Sequence, residues 1–566
     1  LRAAATAALA RGAPRSAAGY LRRALAEPPS AAVIPLLLGE LGRSELLARH
    51  PAAAGHLSDA LSRTRDPVAR AILIRDLADA YSYRGELQRA ATLLREGLQE
   101  LGDRDPELAL RLQTLILGVA VTDRPSPETA GGLDYLRRLG GTVTPAARAL
   151  KLTLAMALAL RGEETVEGVG ALVSEGLDDG RFLADETSES ISAAHAMSAL
   201  IFVDELDRAC GVADAVLADA RRRGSALGLV SGMAHRGLAH LRAGRLAAAE
   251  ADLTAARELV DERQMGFTLP FIRSYLATLL LDLGRVEEAA AMVDEWGLDR
   301  ESMMAASAMA FLQARAAVRV AQGRPAEAMA DLSSSGEFCR AAAIRSPTAL
   351  AWRSPLAMLI APQDRDEAQR LVRIELAEAR RAGVARGVGV ALRTLGVLKG
   401  GSEGLDLLRQ AVEVLARSPA RLEQSRAYLE LGAMLARGGR RIAAREPLRI
   451  AGDLAYRCRA DALTAQVRRE ALAAGARPRR QALTGIDALT PGELRVVTLA
   501  GKGIANREIA QSLFLSVKTV KDHLGSSYRK LGVTSRTELG RALDDGASDM
   551  PPTPPFLGKR APSTPR

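Results

Sequence analysis

A chain of 566 residues with 48% apolar but only 3% aromatic side chains is too long for one compact core and too poor in strand-forming residues for a large sheet. Its Ala, Leu and Arg content favours helix, and three scattered cysteines, Cys210, Cys339 and Cys458, exclude a disulfide framework or zinc motif and suit a reducing, cytoplasmic setting. The net charge is +10, and from Ala474 onward 15 Lys and Arg oppose 8 Asp and Glu, a net of +7, so the excess sits at the C-terminal end, as it does in polyanion binders.

Leu1 to Ala26 is amphipathic and broken by a turn at Arg11-Gly12-Ala13-Pro14. It does not read as a signal peptide, and no apolar run reaches the roughly 18 residues of a membrane span. The same segment opens a repeat that dominates residues 1–470. Gly12, Ala17 and Leu21 recur as Gly85, Ala90 and Leu94, as Gly244, Ala249 and Leu253, as Gly323, Ala328 and Leu332, and as Gly439, Ala444 and Leu448. Gly284 and Ala289 join with Val293 in the Leu place, and Gly244, Gly284 and Gly323 lie 40 and 39 residues apart. Gly ends the first helix of a pair in the left-handed region. Ala sits where two helices cross closely, and Leu fills the groove one turn later. Each pair leaves an apolar face that only the next pair can cover, so the units stack. The pattern resembles tetratricopeptide repeats at a slightly longer period. It is degenerate from Leu101 to Arg161 and from Ala341 to Gly387, where it sets no helix boundaries.

Residues 471–485, with Gly475, Pro478 and the basic Arg477, Arg479 and Arg480, read as a linker. Residues 486–546 then read as four short helices. Thr490-Pro491-Gly492-Glu493 is a capping box with Pro at the first helical position. It opens a helix with Leu494, Val497 and Leu499 that ends near Gly501. Asn506 caps a second helix with Ile509, Ala510 and Leu513 inward, and Phe514-Leu515 makes the turn. Ser516 caps a third helix running to Leu531 and stopped by Gly532. Ser535-Arg536-Thr537-Glu538 is a second capping box opening a fourth helix with Leu539 and Ala542. Four such helices fit a helix-turn-helix module. On a wheel, Val517, Val520, Leu524, Tyr528 and Leu531 of the third helix fall within about 80°, the core face. Lys518, Thr519, Asp522, Gly525, Ser526 and Arg529 lie opposite, with Lys521 on the flank. Basic and small polar side chains on a helix after a short turn suit a major groove. Residues 547–566 are rich in Pro, Thr and Ser and lack the apolar content to fold.

Leu489-Thr490-Pro491-Gly492-Glu493, Gly503-Ile504-Ala505-Asn506-Arg507-Glu508-Ile509-Ala510, Leu515-Ser516-Val517-Lys518-Thr519-Val520-Lys521-Asp522-His523-Leu524 and Arg529-Lys530-Leu531-Gly532-Val533 resemble the LuxR-type helix-turn-helix signature without a gap. The resemblance implies that the third helix enters the major groove and that Lys518, Thr519 and Lys521 are contacts. The wider DNA-facing set it suggests is Thr490, Asn506, Ser516, Val517, Asp522, Gly525 and Arg529. Gly525 stands where the family often carries a polar or basic side chain, and His523 lies off the groove-facing stripe. Repeats joined to this module resemble the large ATP-dependent LuxR-type, maltose-activator-like regulators, in which a nucleotide-binding domain precedes the repeats. No G-x-x-x-x-G-K-[ST] phosphate loop occurs here. With Leu as first residue, the chain reads as a fragment of that architecture, and its ATP switch is not carried over.

The expectation is an all-α chain, a tetratricopeptide-like superhelix followed by a LuxR-type helix-turn-helix domain. It would be a cytoplasmic, sequence-specific transcriptional regulator that binds double-stranded DNA as a homodimer, with RNA polymerase as a possible partner and a small-molecule or protein signal sensed by the repeats. The alternative is an interaction scaffold whose helix-turn-helix dimerises or docks a protein. No catalytic motif, cofactor or metal site is expected, since His50, His56, His195, His235, His240 and His523 are dispersed. Because caps and core positions are all local, the excised segment from about Thr484 to Asp545 is expected to melt cooperatively by circular dichroism and to bind duplex DNA. An unfolded peptide would refute this reading.

Overall fold

The computed structural model describes residues 1–122, 143–263, 265, 269–294, 305–475, 489, 491–513 and 515–540. Among them every regular element is helical and none is a strand, and no helix is long and apolar enough to cross a membrane. The linker residues 476–488, Thr490, Phe514, Ala542 and the Pro-rich tail lie outside the described residues.

The repeat folds as its spacing predicts. Gly244 follows the helix Ala226–Ala243 at φ +78°, and the chain reverses into the helix Leu246–Arg263. Ala249 and Leu253 are fully buried against the first helix of that pair. The fit depends on a second glycine. A Cβ on Gly237 would stand 2.7 Å from Leu253 Cγ, so the leucine rests directly on backbone. Gly432 and Leu448 repeat the arrangement at 2.6 Å. Gly12, Gly85, Gly284, Gly323 and Gly439 all take positive φ, and Ala17, Ala90, Ala289, Ala328 and Ala444 are all completely buried.

Other pairs use the same register without its signature. Asp204, at φ +70°, takes the turn between the helices Ile191–Phe202 and Leu206–Arg223. A short polar side chain tolerates that conformation better than most. Ala209, Ala213 and Val216 follow, none more than 1% exposed, so the unit is regular although Asp replaces Gly and Ala replaces Leu. In the degenerate stretches the helices are Pro106–Thr122, Pro145–Arg161, Arg353–Ile360, Arg365–Ala382 and Ala385–Lys399. The last repeat helix, Asp461–Ala473, runs past the boundary expected at 470. Cys339 and Cys458 are buried, Cys210 is half-buried, and none is in a disulfide.

Neighbouring pairs pack in chain order, but the stack also curls until it meets itself. The N–H groups of Arg345 and Ser346 donate to the Leu160 carbonyl at 3.1 and 3.0 Å. The Thr348 hydroxyl donates to the Phe202 carbonyl, 146 residues away. Ser418 Oγ donates to Asp204 Oδ2 at 2.6 Å across 214 residues, and Arg381 donates to the Gly162 carbonyl across 219. Gly12 lies so close to Arg223 that a Cβ would stand 2.5 Å from its carbonyl oxygen. Partners four to five pairs apart mark successive turns of a tight superhelix.

The inter-turn contacts include ionic ones, such as Arg49 with Glu189 at 3.6 Å and a cluster around Arg426. Arg426 reaches Asp282 on the neighbouring turn and Glu423 Oε1 at 2.5 Å on its own helix, while Arg393 holds Glu423 Oε2 at 2.5 Å. Burial alone would raise the Glu423 carboxyl, but Arg426, Arg393 and Arg386 hold it below the usual carboxylate range. Asp282 is raised by its burial, against the pull of Arg426. Removing the shared cation leaves two partly buried carboxylates poorly compensated. Arg426→Met is therefore expected to destabilise the repeat region by about 3 kcal/mol, read as a lowered thermal midpoint. An unchanged midpoint would show that the contact between turns is energetically idle.

Candidate nucleic-acid interface

The C-terminal module has a small core. In the helix Pro491–Gly501, Val496, Val497 and Ala500 are at most 1% exposed, the i, i+1, i+4 set that one helix face presents. Leu494 instead turns outward at 39% exposure. Gly503, at φ +83°, reverses the chain. The second helix, Asn506–Ser512, buries Ile509 and Ala510. Leu515 N–H donates to the Ala510 carbonyl at 2.8 Å, closing the turn into the third helix, Val517–Leu531. Leu539, the last core residue, is fully buried just beyond a short 3-10 turn, Arg536–Glu538.

Ser516 caps the third helix as expected. Its Oγ accepts from Thr519 N–H at 3.0 Å and lies 2.8 Å from Thr519 Oγ1. Gly532 ends the helix at φ +68°. Val520, Leu524 and Ser527 are its buried side chains, and Ser527 Oγ donates to the His523 carbonyl at 2.6 Å. Tyr528, Leu531 and His523 are half-buried. Val517 was expected on the core face but is 40% exposed. It belongs to the first turn, ahead of the two helices that cover the rest of that face.

Val517, Lys518, Lys521, Asp522, Gly525 and Arg529 are all exposed. On the wheel they occupy one arc of about 140° along about 18 Å of axis. Lys518 and Lys521 lie about 30° to either side of the arc's middle, Lys521 toward the Val517 edge and Lys518 toward the Asp522 edge. Among the described residues, no ion pair holds Lys518, Lys521 or Arg529. A Cβ on Gly525 would meet nothing within 4 Å, so no packing demand explains the glycine. Lys502 and Arg507 add exposed positive charge to the module.

Two expected roles change. Asn506 is the first residue of the second helix, not its cap. Ala505 holds the cap position, and its N–H donates to Glu508 Oε2 at 3.3 Å. The Asn506 side chain accepts from Arg536 Nη1 at 2.6 Å, while Arg536 also donates to the Ile504 carbonyl. The Ser535–Glu538 box is also shifted. Glu538 Oε2 accepts from Thr534 N–H at 2.8 Å, and Ser535 Oγ pairs with Thr537 Oγ1 at 2.9 Å. Lys530, one of four lysines clustered here, is a structural clasp. Its Nζ donates to Glu493 Oε2 at 2.6 Å, and Glu493 is only 4% exposed. With 37 residues between the partners, no local pattern reveals the pair.

Residues 487–543 match the family described as bacterial regulatory proteins, luxR family, so the C-terminal module is a LuxR-type helix-turn-helix domain. Proteins named HTH-type transcriptional regulators from Mycobacterium bovis and Mycobacterium tuberculosis are each 44% identical over 61 residues. That segment is 11% of this chain and 7% of theirs. The oxygen regulatory protein NreC of Staphylococcus aureus is 47% identical over 51 residues, 9% of this chain and 24% of that protein. The chain therefore spans only a small part of these curated relatives. Among solved structures, one from the crystal structure of the APC/C hetero-tetramer Cut9-Hcn1 is 12% identical, with a TM-score of 0.43 over 82% of this chain and 95% of that one.

The geometry separates stability from surface chemistry. Gly525→Ala is expected to stabilise the module by roughly 0.5–1 kcal/mol, because Gly costs about that much inside a helix. Lys530→Ala is expected to destabilise it by roughly 1–3 kcal/mol, because it removes a charge-assisted hydrogen bond to a buried carboxylate. Melting curves of the two variants should move in opposite directions, and a shift of the same sign in both would refute the assignment.

Proposed function

We propose that the protein regulates transcription by binding duplex DNA in a sequence-dependent way through the helix Val517–Leu531. The observation that carries this is the single exposed arc of Lys518, Lys521, Gly525 and Arg529 on the second helix of a helix-turn-helix, within a module that matches a family of bacterial regulators. The N-terminal turns of such a helix enter the major groove, where Lys contacts guanine edges and apolar groups contact thymine methyls. In this reading Lys521 reads a base edge, Val517 lies against bases, and Lys518 and Arg529 neutralise phosphates. Asp522 screens the arc against wrong partners, and Gly525 allows close approach. Ser516 and Thr519 set the helix start with their shared cap, and Asn506, held by Arg536, orients the second helix across the backbone. The family motif adds Thr490, outside the described residues, as a further contact. Binding as a homodimer, contact with RNA polymerase and reception of a signal by the helical repeats complete the proposal.

Lys521→Ala is expected to cost roughly 1–3 kcal/mol on the preferred site and much less on random DNA. Lys518→Ala is expected to weaken all sequences about equally and to lower the steepness of the salt dependence by about one ion. Titrations of both variants on specific and random duplexes over a salt series decide the matter. Unchanged affinity and slope in both would mean that this helix does not face DNA.

A further inference from the structure

The superhelix lines a partly open void of about 610 Å³ along the inner side of its first turns. Its lining recurs with the repeat: Asp79, Gly118, Met156, His195, Ala234 and Phe271 follow one another at intervals of 37 to 39 residues. Each helix pair thus contributes the same face, and the void is a product of curvature. Its size falls within the roughly 300–1,000 Å³ usual for small-molecule sites.

We infer that this lumen binds a compact, uncharged, largely apolar small molecule through one hydroxyl or carbonyl group held by His195. The inference deepens the signal-sensing part of the proposed function and rests on that reading. His195 is 2% exposed. Its Nδ1 lies 3.1 Å from Thr153 Oγ1, which lies 3.0 Å from Ser192 Oγ, but its Nε2 is buried with no hydrogen-bond partner among the described residues. Leaving such a group unpaired is costly; Nε2 is itself shielded from solvent, so the ring turns toward the lumen for a ligand to pair it and recover the loss. The neighbouring His235 is satisfied. Its Nδ1–H donates to the Ser231 carbonyl at 2.8 Å, leaving Nε2 to accept from Ser198 at 3.0 Å. Burial, aided by His235, pushes His195 down to about 3, so the imidazole is neutral and presents a single hydrogen-bonding function.

The rest of the lining, mostly apolar with a few hydroxyl side chains, disfavours other classes. Leu160, Val230, Phe338 and Ile344 make apolar walls that could not satisfy a ligand polar along its whole length. At the charged end the arginines are already held: Arg43 by Asp76 at 2.6 Å, Arg75 by Asp76 at 2.7 Å and Arg111 by Glu186 at 2.5 Å. An anion would have to break these pairs. Asp79 is pushed up to about 7 by burial and by Asp76, so it is about half protonated near neutral pH and a weaker anchor for a cation than an ordinary carboxylate.

The test titrates the full chain with 6-propionyl-2-dimethylaminonaphthalene, a neutral two-ring ketone whose emission shifts to the blue when it leaves water. The expected result is saturable, blue-shifted binding of one probe per chain, displaced by 2-naphthol. His195→Gln, which keeps a hydrogen-bonding group, should retain binding, while His195→Leu and Ala234→Phe should each weaken it about tenfold. Circular dichroism melts identify which variants fold, and the conclusion is drawn from those that do, beginning with the native chain. Absence of saturable binding to the native chain, or unchanged binding in a folded Ala234→Phe variant, would overturn the inference. A mobility shift on the same samples separates the two readings. DNA binding without probe capture overturns the lumen site alone. Probe capture without DNA binding overturns the regulatory reading and leaves the site standing.

Discussion

A helix hairpin can bury only one of its two apolar faces within itself, and everything in residues 1–475 follows from where the other face goes. The fully buried alanines at each crossing, Ala17, Ala90, Ala249, Ala289, Ala328 and Ala444, bring the two helices close enough for a leucine to rest on glycine backbone. The outer face is then covered by the next hairpin. Repeating that placement with a small constant rotation produces curvature, and curvature produces both the contacts between successive turns and the lumen they surround.

The C-terminal module solves the opposite problem. It has too few residues for an extensive core and holds itself with polar clasps. Lys530 ties the third helix to the first through Glu493, and Arg536 ties the last turn to the second helix through Asn506 and the Ile504 carbonyl. These bonds use the charges and amides that lie at the back of the third helix. What remains without an ion pair on that helix, among the described residues, is one face, cationic at Lys518, Lys521 and Arg529 and bare at Gly525. The division of labour is spatial, and it concentrates a modest net charge where it can act.

Much of this was legible in the sequence because it is local. Gly at the turn, Ala five residues later and Leu four after that encode a hairpin within a few turns of helix, and Ser516 and Gly532 bound the third helix by their own chemistry. The misreadings share one cause. Val517 has the wheel angle of a core residue but stands in the first turn, beyond the reach of the helices that cover Val520 and Leu524. Asn506 has the composition of a cap, yet its side chain is taken by Arg536, thirty residues on. Asp204 hides a regular unit because it reaches the left-handed turn without glycine. The lumen was wholly invisible, since no one unit contains it, and His195 stands out only when the residues on every side of it are known.

The contact of Gly12 with Arg223 also bears on how the chain is made. A simple solenoid can fold as it leaves the ribosome, since each unit needs only the one before it. Here the first hairpin must wait for a partner 211 residues downstream. At ordinary synthesis rates that is a delay of roughly 10–40 s. Through that interval the edge of the first turn is exposed to whatever else is nearby, and the chain spends its youth as an open coil that closes only after the helix Leu206–Arg223 arrives.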